Sequence, residues 1–368
     1  MFECNFYASG FRLAARPGIL PPVLPRARSA ALLLLGLGAG CRSGSDVAPA
    51  PPGAYLLVLN KEDATIAVVQ TTTGWTRDTA PTGAGPHEVA AASDGSIAVV
   101  SNYGTADEPG HTLSVYGFRE RRVVSTIDLS PHARPHGIAF LDHRSTVLVT
   151  SETSHAVLEV DVPGRRVVRT FDTGADGSHM LVLSPDRKRV YTANVGSGSV
   201  SAIDLGTGAL VKTAKTGRGT EAIALSPDGR ELWVGNRGED DLCVLDSATL
   251  EERARIPSPK FPIRLAFTPD GSVVLASCAA SDEVRVFDAR GRKELRSVAI
   301  PGANGPSTPV GLLVEPGGDF AFVACTAARK VAVLDLSTWT AKSEIATGAG
   351  PDGLAWASGF GTIRREVP

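Results

Sequence analysis

Residues Ser178 to Gly217 read SHMLVLSPDRKRVYTANVGSGSVSAIDLGTGALVKTAKTG. Four runs of strand length, 179–183, 190–194, 200–204 and 210–213, alternate with turn residues such as the Ser184-Pro185-Asp186 sequence. The runs are rich in β-branched residues, and the segments between them carry the Gly, Pro, Asp and Ser of tight turns. The stretch therefore predicts one four-stranded antiparallel meander.

This pattern recurs along the chain. The residues equivalent to the start of its first strand recur every 42 to 49 positions, at His87, His136, His179, Glu221, Ile263, Val310 and Asp352. A period in the low forties with four strands per copy is typical of a β-propeller blade. Six copies are complete, and the seventh is predicted to be split between the two ends of the repeat region.

The split copy consists of one strand near the C-terminus and three strands before the first complete copy. The late strand is 353–356, and the early strands are 55–60, 65–70 and 75–79. Pairing them in one sheet would close the ring and remove an exposed strand edge. The sequence thus predicts an all-β protein, a seven-bladed β-propeller of four-stranded antiparallel blades over residues 54–357.

The second strands of the repeats share a recognisable sequence motif. Val190-Tyr191-Thr192-Ala193-Asn194 resembles the repeat of the YVTN β-propeller family, also called lactonase-type propellers, and the runs 232–236 and 98–102 match it well. Three other copies depart from it, ending in Ser151, Cys278 and Cys325. The resemblance covers about residues 54–357 and implies the propeller fold. It says little about activity, because propellers host many unrelated functions.

The first fifty residues have a different composition. Four arginines, the last at Arg28, precede the apolar run 30–37, which is typical of an export signal and too short for a permanent membrane span. Leu37-Gly38-Ala39-Gly40-Cys41 resembles a bacterial lipobox, although Gly38 stands where that motif prefers a branched aliphatic. Residues 1–41 are therefore interpreted as a signal peptide with Cys41 as the lipid anchor; cleavage near Ala48 or Ala50 is the alternative.

The remaining flanks and the expected location follow from this reading. Residues 42–53 form a Ser, Pro and Gly-rich tether, and residues 358–368 a C-terminal tail. The protein is expected to be exported to the periplasm or cell surface and to contact the membrane only through the lipid.

Composition bears on whether the protein binds nucleic acid and on whether its cysteines are paired. The net charge is −2, with 21% charged and 43% apolar residues, so no basic excess points toward nucleic acid. Of five cysteines, Cys243, Cys278 and Cys325 fall within the repeats. An odd number cannot be fully paired, and buried free thiols are expected there. Cys278 and Cys325 occupy equivalent places in adjacent blades, so a bond between them stays open.

The blade pattern places polar residues at one mouth of the channel. The starts of first strands and the ends of second strands share one face, and four of the blades contribute histidine, carboxylate, asparagine and arginine there. The other two complete blades begin with Ile263 and Val310 and would form an apolar wall. The candidate binding residues are His87, Glu88, Asn102, Tyr103, His136, Glu152, His179, Asn194, Glu221, Asn236, Arg237 and Arg264; Asn60, Lys61, Asp352 and His111 lie on the same face.

Two interpretations of these residues remain open. His87, His136 and His179 would suit a divalent transition metal, with Glu221 or Glu152 as general base and Arg237 or Arg264 holding an anionic substrate. Alternatively, the histidines bond to neighbouring backbone, and the asparagines serve the turns that follow them.

Two functions follow. The first is a non-catalytic envelope module that binds a small ligand or a protein partner at the channel mouth. The second is an enzyme, either a metal-dependent oxidoreductase or a lactonase-like hydrolase, since lactonase-type propellers use His, Glu and Arg at the same mouth.

Overall fold

The computed structural model describes residues 53–258 and 260–358. In this part of the chain, 28 strands form seven four-stranded antiparallel sheets. The signal segment, Cys41, the tether up to residue 52 and the tail after Ser358 lie outside the described residues. The predicted all-β, seven-bladed propeller is confirmed.

The strands fall into seven blades. Blade 1 contains β4 (Pro86–Ala91), β5 (Ile97–Gly104), β6 (Pro109–Gly117) and β7 (Arg122–Asp128), and blade 2 contains β8 (Pro135–Phe140), β9 (Thr146–Ser151), β10 (Ala156–Asp161) and β11 (Arg166–Asp172). Blade 3 contains β12 (Ser178–Leu183), β13 (Arg189–Asn194), β14 (Ser199–Asp204) and β15 (Leu210–Lys215), and blade 4 contains β16 (Thr220–Leu225), β17 (Glu231–Asn236), β18 (Asp241–Asp246) and β19 (Glu252–Pro257). Blade 5 contains β20 (Pro262–Phe267), β21 (Val273–Cys278), β22 (Glu283–Asp288) and β23 (Lys293–Ala299), and blade 6 contains β24 (Pro309–Val314), β25 (Phe320–Cys325), β26 (Lys330–Asp335) and β27 (Thr340–Ala346). Blade 7 joins β28 (Pro351–Ala357) to β1 (Tyr55–Asn60), β2 (Thr65–Gln70) and β3 (Thr76–Pro81).

The ring closes as the split copy predicts. Tyr55 pairs with Ala357 and Val58 with Leu354, so the first and last strands lie side by side in one sheet. Each first strand contacts the first strands of both neighbouring blades, in the order β28, β4, β8, β12, β16, β20, β24 and back to β28. These seven inner strands surround the central channel.

The core lies between the blades because successive side chains of a strand point to opposite faces. In β1, Leu57 and Leu59 pack with side chains of blade 1, whereas Leu56 and Val58 pack with side chains of blade 6. Burial is nearly complete at all four positions. Each blade is thus held by apolar contacts on both faces.

A β-bulge shapes the start of every first strand. Between Ser178 and Met180 the register against β13 shifts, so that His179 is the extra residue. Equivalent shifts include His87, His136, Glu221, Ile263, Val310 and Asp352. A bulge re-aims a side chain away from the regular pleat. The bulge therefore gives these seven side chains a direction different from that of the side chains packed between blades.

The structure can be compared with the expectations about the cysteines and about membrane-spanning helices. Cys243, Cys278 and Cys325 are free and buried, as expected, and burial raises the pKa of Cys278 to about 12 and of Cys325 to about 11. The described residues include no helix of the length and apolarity that a membrane crossing needs.

Candidate functional site

An ion pair spans the channel between opposite blades. Glu88 of β4 accepts from Arg264 of β20, with Nη2 at 2.6 Å and Nε at 3.2 Å from the same carboxylate oxygen. Both side chains are about one-tenth exposed. Burial, the largest influence, raises the pKa of Glu88 despite the nearby guanidinium. The pair therefore joins blades 1 and 5 across the channel.

Glu221 connects this pair to blades 3 and 4. Its carboxylate lies 2.6 Å from Nη1 of Arg237, 3.2 Å from Nε2 of His179 and 3.5 Å from Nη1 of Arg264. Burial alone would raise the pKa of Glu221, but Arg237 and His179 outweigh it and hold the pKa well below its usual range. Glu221 is thus a buried carboxylate fixed by three cationic groups.

His179 lies between two carboxylates. Its Nδ1 contacts Oε1 of Glu152, and its Nε2 faces Glu221. Burial, the largest influence, lowers the pKa of His179, yet Glu221 and Glu152 reverse the effect and raise it to about 10. His179 is therefore an imidazolium at neutral pH. Tyr103 completes the chain by donating its hydroxyl to Oε2 of Glu152 at 2.6 Å.

The other two histidines are neutral. His87 contacts the backbone oxygen of Gly85 through Nδ1 at 2.8 Å, and burial lowers its pKa to about 4. His136 is 1% exposed, its Nδ1 has no hydrogen-bond partner, and burial together with the His179 charge lowers its pKa well below the usual value. Its ring lies 3.6 Å from that of His179 and 5.1 Å from that of His87, measured between centroids.

A further ion pair stands on the blade 7 side. Lys61 Nζ lies 3.1 Å from Oδ2 of Asp352, and Oδ1 of that carboxylate is buried with no hydrogen-bond partner. Burial alone would raise the pKa of Asp352, but Lys61 and other charges lower it.

The charges of this mouth cluster balance. Each cation lies within 4 Å of one of the carboxylates; the cations are Lys61, His179, Arg237 and Arg264, and the carboxylates are Glu88, Glu152, Glu221 and Asp352. Balance matters because an unpaired buried charge is costly. The cluster satisfies itself electrostatically without a bound ion.

The metal centre expected on the three histidines does not fit this geometry. Both nitrogens of His179 face carboxylates, so both are engaged in ion pairs rather than turned toward a site shared with the other two histidines. His136 stacks beside that ring rather than converging with it on a common point. Among the described residues, no group of three or more His, Cys, Asp or Glu side chains is arranged to hold a metal ion. The geometry of the described residues therefore does not favour a metal ion held by His87, His136 and His179.

The asparagines proposed for the site do not join the mouth cluster. Asn102, Asn194 and Asn236 are buried at 1%, 0% and 0% exposure, and their amides bond to residues of their own blades and of the connecting loops. Their amides therefore join strands within each blade and hold the connecting loops. Their burial and hydrogen bonds do not favour them as ligand contacts.

The apolar wall is a packed cluster. Ile263 and Val310 are buried together with Ala279, and Phe261 packs against them. Arg237 stacks over the Phe261 ring at 5.1 Å, which links this wall to the charged side of the mouth. His111, considered as a lid residue, is exposed on the β5–β6 hairpin.

Sequence reasoning missed how the cluster is connected. The structure brings together His87, Glu88, Tyr103, His136, Glu152, His179, Glu221, Arg237 and Arg264, and adds Lys61 and Asp352, which the sequence placed on this face but not in the binding set. The sequence already indicated Asp352, because it is the blade 7 equivalent of His87, His136 and His179 at the start of the first strand.

Comparisons with known proteins agree with this fold. Residues 207–298 match the family model described as lactonase, 7-bladed beta-propeller, and residues 133–251 match that of the YNCE-like beta-propeller. No curated protein matches the sequence.

Two solved structures share the architecture. Hydrazine synthase from Kuenenia stuttgartiensis is 20% identical, with a TM-score of 0.64, over 73% of this chain and 88% of that one. A functionally unknown protein from Desulfotomaculum acetoxidans is 15% identical, with a TM-score of 0.69, over 83% of this chain and 99% of that one. At such identity the likeness concerns the fold alone. The chain is a seven-bladed β-propeller that matches the lactonase-type and YNCE-like family models over part of its length.

Proposed function

We propose that the protein is a binding module of the cell envelope whose channel mouth takes a small, uncharged, hydroxyl-rich ligand. One observation carries the proposal. His136 is buried in the ring of bulge residues, and its Nδ1 has no hydrogen-bond partner. A buried polar atom without a partner costs free energy, and a ligand hydroxyl or a water molecule would satisfy it.

The balance of charge supports an uncharged ligand. Every ionised group of the mouth cluster already faces an opposite charge, so a charged ligand would gain no countercharge and would disturb existing pairs. Neutral His87 and His136 each carry one donor and one acceptor nitrogen. Hydroxyl groups also donate and accept, which makes them suitable partners.

Ring surfaces at the mouth support a compact organic ligand. The centroids of His87 and Tyr103 lie 4.5 Å apart, and the guanidinium of Arg134 covers the Tyr103 ring at 4.7 Å. Small-molecule sites combine such apolar ring faces with a few fixed polar groups.

The envelope location in this proposal rests on the sequence. The export signal and Cys41 expected there support a lipid-anchored propeller.

Calorimetric titration tests the proposal with D-glucose and D-glucono-1,5-lactone as neutral probes and with gluconate as the anionic control. We expect the neutral probes to bind and gluconate to bind at least about tenfold more weakly, a difference of about 1.4 kcal/mol. His87→Ala should abolish the neutral binding. His143→Ala, which changes an exposed histidine of the opposite face, should not. Stronger binding of gluconate, or identical binding by both variants, would overturn the proposal.

A lactonase-like hydrolase is the second candidate, because the matched segment 207–298 carries Glu221, Arg237 and Arg264. General-base catalysis favours a group that titrates near the working pH. Glu221 and Glu152 are held in ion pairs with lowered pKa values, and the pKa of His87 lies at about 4. These properties favour binding over hydrolysis. Hydrolysis of the lactone above its spontaneous rate that is lost in His87→Ala would establish the enzyme instead.

A further inference from the structure

A polar groove lies between blades 6 and 7, away from the central channel. Its volume is about 280 Å³, and its walls are formed by the end of β27 with the following loop and by β1, β2 and β3. The lining residues used below are Asn60, Asp63, Ala67, Val69 and Ala346.

Asn60 has equivalents in three other blades that fix the orientation of its amide. The amide nitrogen donates to the opposite residue of the third strand in each case: Asn60 to Thr65 at 3.0 Å, Asn102 to Thr112 at 3.0 Å, Asn194 to Ser199 at 3.2 Å and Asn236 to Asp241 at 2.7 Å. Because the same bond recurs four times, the amide oxygen of Asn60 is the atom turned away from the third strand.

The amide oxygens differ between these blades. Asn102 Oδ1 accepts from the backbone nitrogen of Gly83, Asn194 Oδ1 from Thr192 and Asn236 Oδ1 from Thr220. Asn60 Oδ1 is buried with no hydrogen-bond partner, and the residue is 2% exposed. Blade 7 has thus kept the asparagine but not a donor for its oxygen.

The sequence of blade 7 accounts for the absence of the hydroxyl donors found in blades 3 and 4 and for the open space. Val58 and Pro351 stand where the hydroxyl donors Thr192 and Thr220 stand in blades 3 and 4. Ala67 stands where Ser114 of blade 1 bonds its asparagine. Losing these hydroxyls removes polar contacts, and the small alanine leaves room beside Asn60.

The groove offers acceptors above an apolar floor. Asn60, whose Oδ1 is buried without a hydrogen-bond partner, is one of the lining residues. The exposed residue Asp63 lines the groove as well, and its Oδ2 accepts from the backbone nitrogen of Ala349 at 2.7 Å. Ala67, Val69 and Ala346 line the apolar part. The lining includes no lysine or arginine. An ammonium group donates three hydrogen bonds and carries a positive charge. It would supply the countercharge that no other lining residue offers to Asp63.

We propose that this groove binds a primary organic ammonium with a short aliphatic chain. The ammonium bonds to Asn60 Oδ1 and Asp63, and the aliphatic chain covers Ala67 and Val69. This site is separate from the channel mouth and does not depend on its ligand.

Nuclear magnetic resonance titration of the full propeller with n-butylammonium chloride tests the proposal. n-Butanol removes the charge, butyltrimethylammonium removes the N–H donors, and sodium chloride supplies a cation without the chain. We expect n-butylammonium to shift resonances of the groove and to bind at least about tenfold more tightly than each control. Equal binding of n-butanol or of sodium would overturn the proposal.

Two variants locate the effect. Ala67→Ser restores the hydroxyl found in blade 1, so it should fill the space, satisfy Asn60 and weaken n-butylammonium binding at least about tenfold, a loss of about 1.4 kcal/mol, while the fold is retained. Asp63→Asn should weaken binding of n-butylammonium without affecting n-butanol. Asp107→Asn, an exposed aspartate of the β5–β6 hairpin, is the matched control and should change nothing. Unchanged binding in a folded Ala67→Ser protein would contradict the site.

Discussion

Arg264 and Glu88 form an ion pair with Nη2 and Oε1 2.6 Å apart, although 176 positions separate them in the chain. Arg264 belongs to blade 5 and Glu88 to blade 1, so three blades lie between them on one side of the ring and two on the other. The pair therefore connects opposite walls of the channel directly, whereas apolar packing connects only neighbouring blades.

Removal of one partner of this pair should be more harmful than removal of both. Glu88→Leu alone leaves the Arg264 charge buried and should lower the free energy of unfolding by about 3–5 kcal/mol. Glu88→Leu with Arg264→Met replaces the pair by apolar side chains and should cost less than either single change. Urea unfolding of the four proteins in the cycle measures this. Additive losses would show that the two residues do not interact.

Stability should fall as the pH rises above neutrality. The folded pKa of His179 is raised to about 10, whereas an unfolded histidine titrates near 6.5. The folded state therefore keeps a proton that the unfolded state releases, and this contribution, complete below about 6.5, decreases by up to about 1.4 kcal/mol per pH unit toward 10. Urea unfolding at pH 6.5, 7.5 and 8.5 should show the decrease. His179→Gln should flatten it; an equal slope in that variant would contradict the imidazolium assignment.

Acid should destabilise the protein through His87. Burial lowers its folded pKa to about 4, so the unfolded state binds a proton first as the pH falls below about 6.5. Its contribution is present above that pH and is lost as the pH falls toward 4. The difference between wild type and His87→Gln, measured by urea unfolding between pH 6.5 and 4.5, isolates this histidine from the carboxylates. No change in the pH dependence would show that His87 is accessible to protons in the folded state.

The closing sheet should be sensitive to a charge at its seam. Ala355 of β28 is buried and packs between blades 7 and 1, whereas Ser358 just beyond the strand is exposed. Ala355→Asp should leave an unpaired buried carboxylate and unfold or strongly destabilise the ring. Ser358→Asp should have a melting temperature close to that of the unchanged protein. Similar melting temperatures for both variants would argue against the closure by β28.

Lipid attachment is tested in cells of a bacterium that processes lipoproteins. We expect labelled fatty acid to be incorporated into the protein and the protein to fractionate with membranes. Cys41→Ser should abolish both. Membrane association that persists in Cys41→Ser would exclude Cys41 as the anchor.

Sequence periodicity predicted the fold because each blade repeats the same local pattern of strands and turns. The turn residues around Ser184-Pro185-Asp186 and the β-branched runs define the strands locally, and the recurrence from His87 to Asp352 counts the blades. The split of blade 7 followed from the unmatched strands at the two ends, and the pairing of Tyr55 with Ala357 confirms it.

The connections of the site could not be predicted in the same way. Glu88 and Arg264 each follow a ring residue, but their contact depends on the way the closed ring brings blades 1 and 5 together. The three histidines occupy equivalent positions, yet the flanking carboxylates make His179 charged and leave His136 neutral. Equivalent sequence positions therefore differ in chemistry, because the neighbours differ from blade to blade.

The joining of β1 with β28 also limits when the chain can finish folding. Tyr55 is synthesised about three hundred residues before its partner Ala357, so β1 has an open edge throughout the synthesis of the other blades. Completion of the ring must await the last strand, and an almost complete nascent chain still lacks its closing contacts. A protein built in this way reaches its final stability only after its C-terminal strand has left the ribosome.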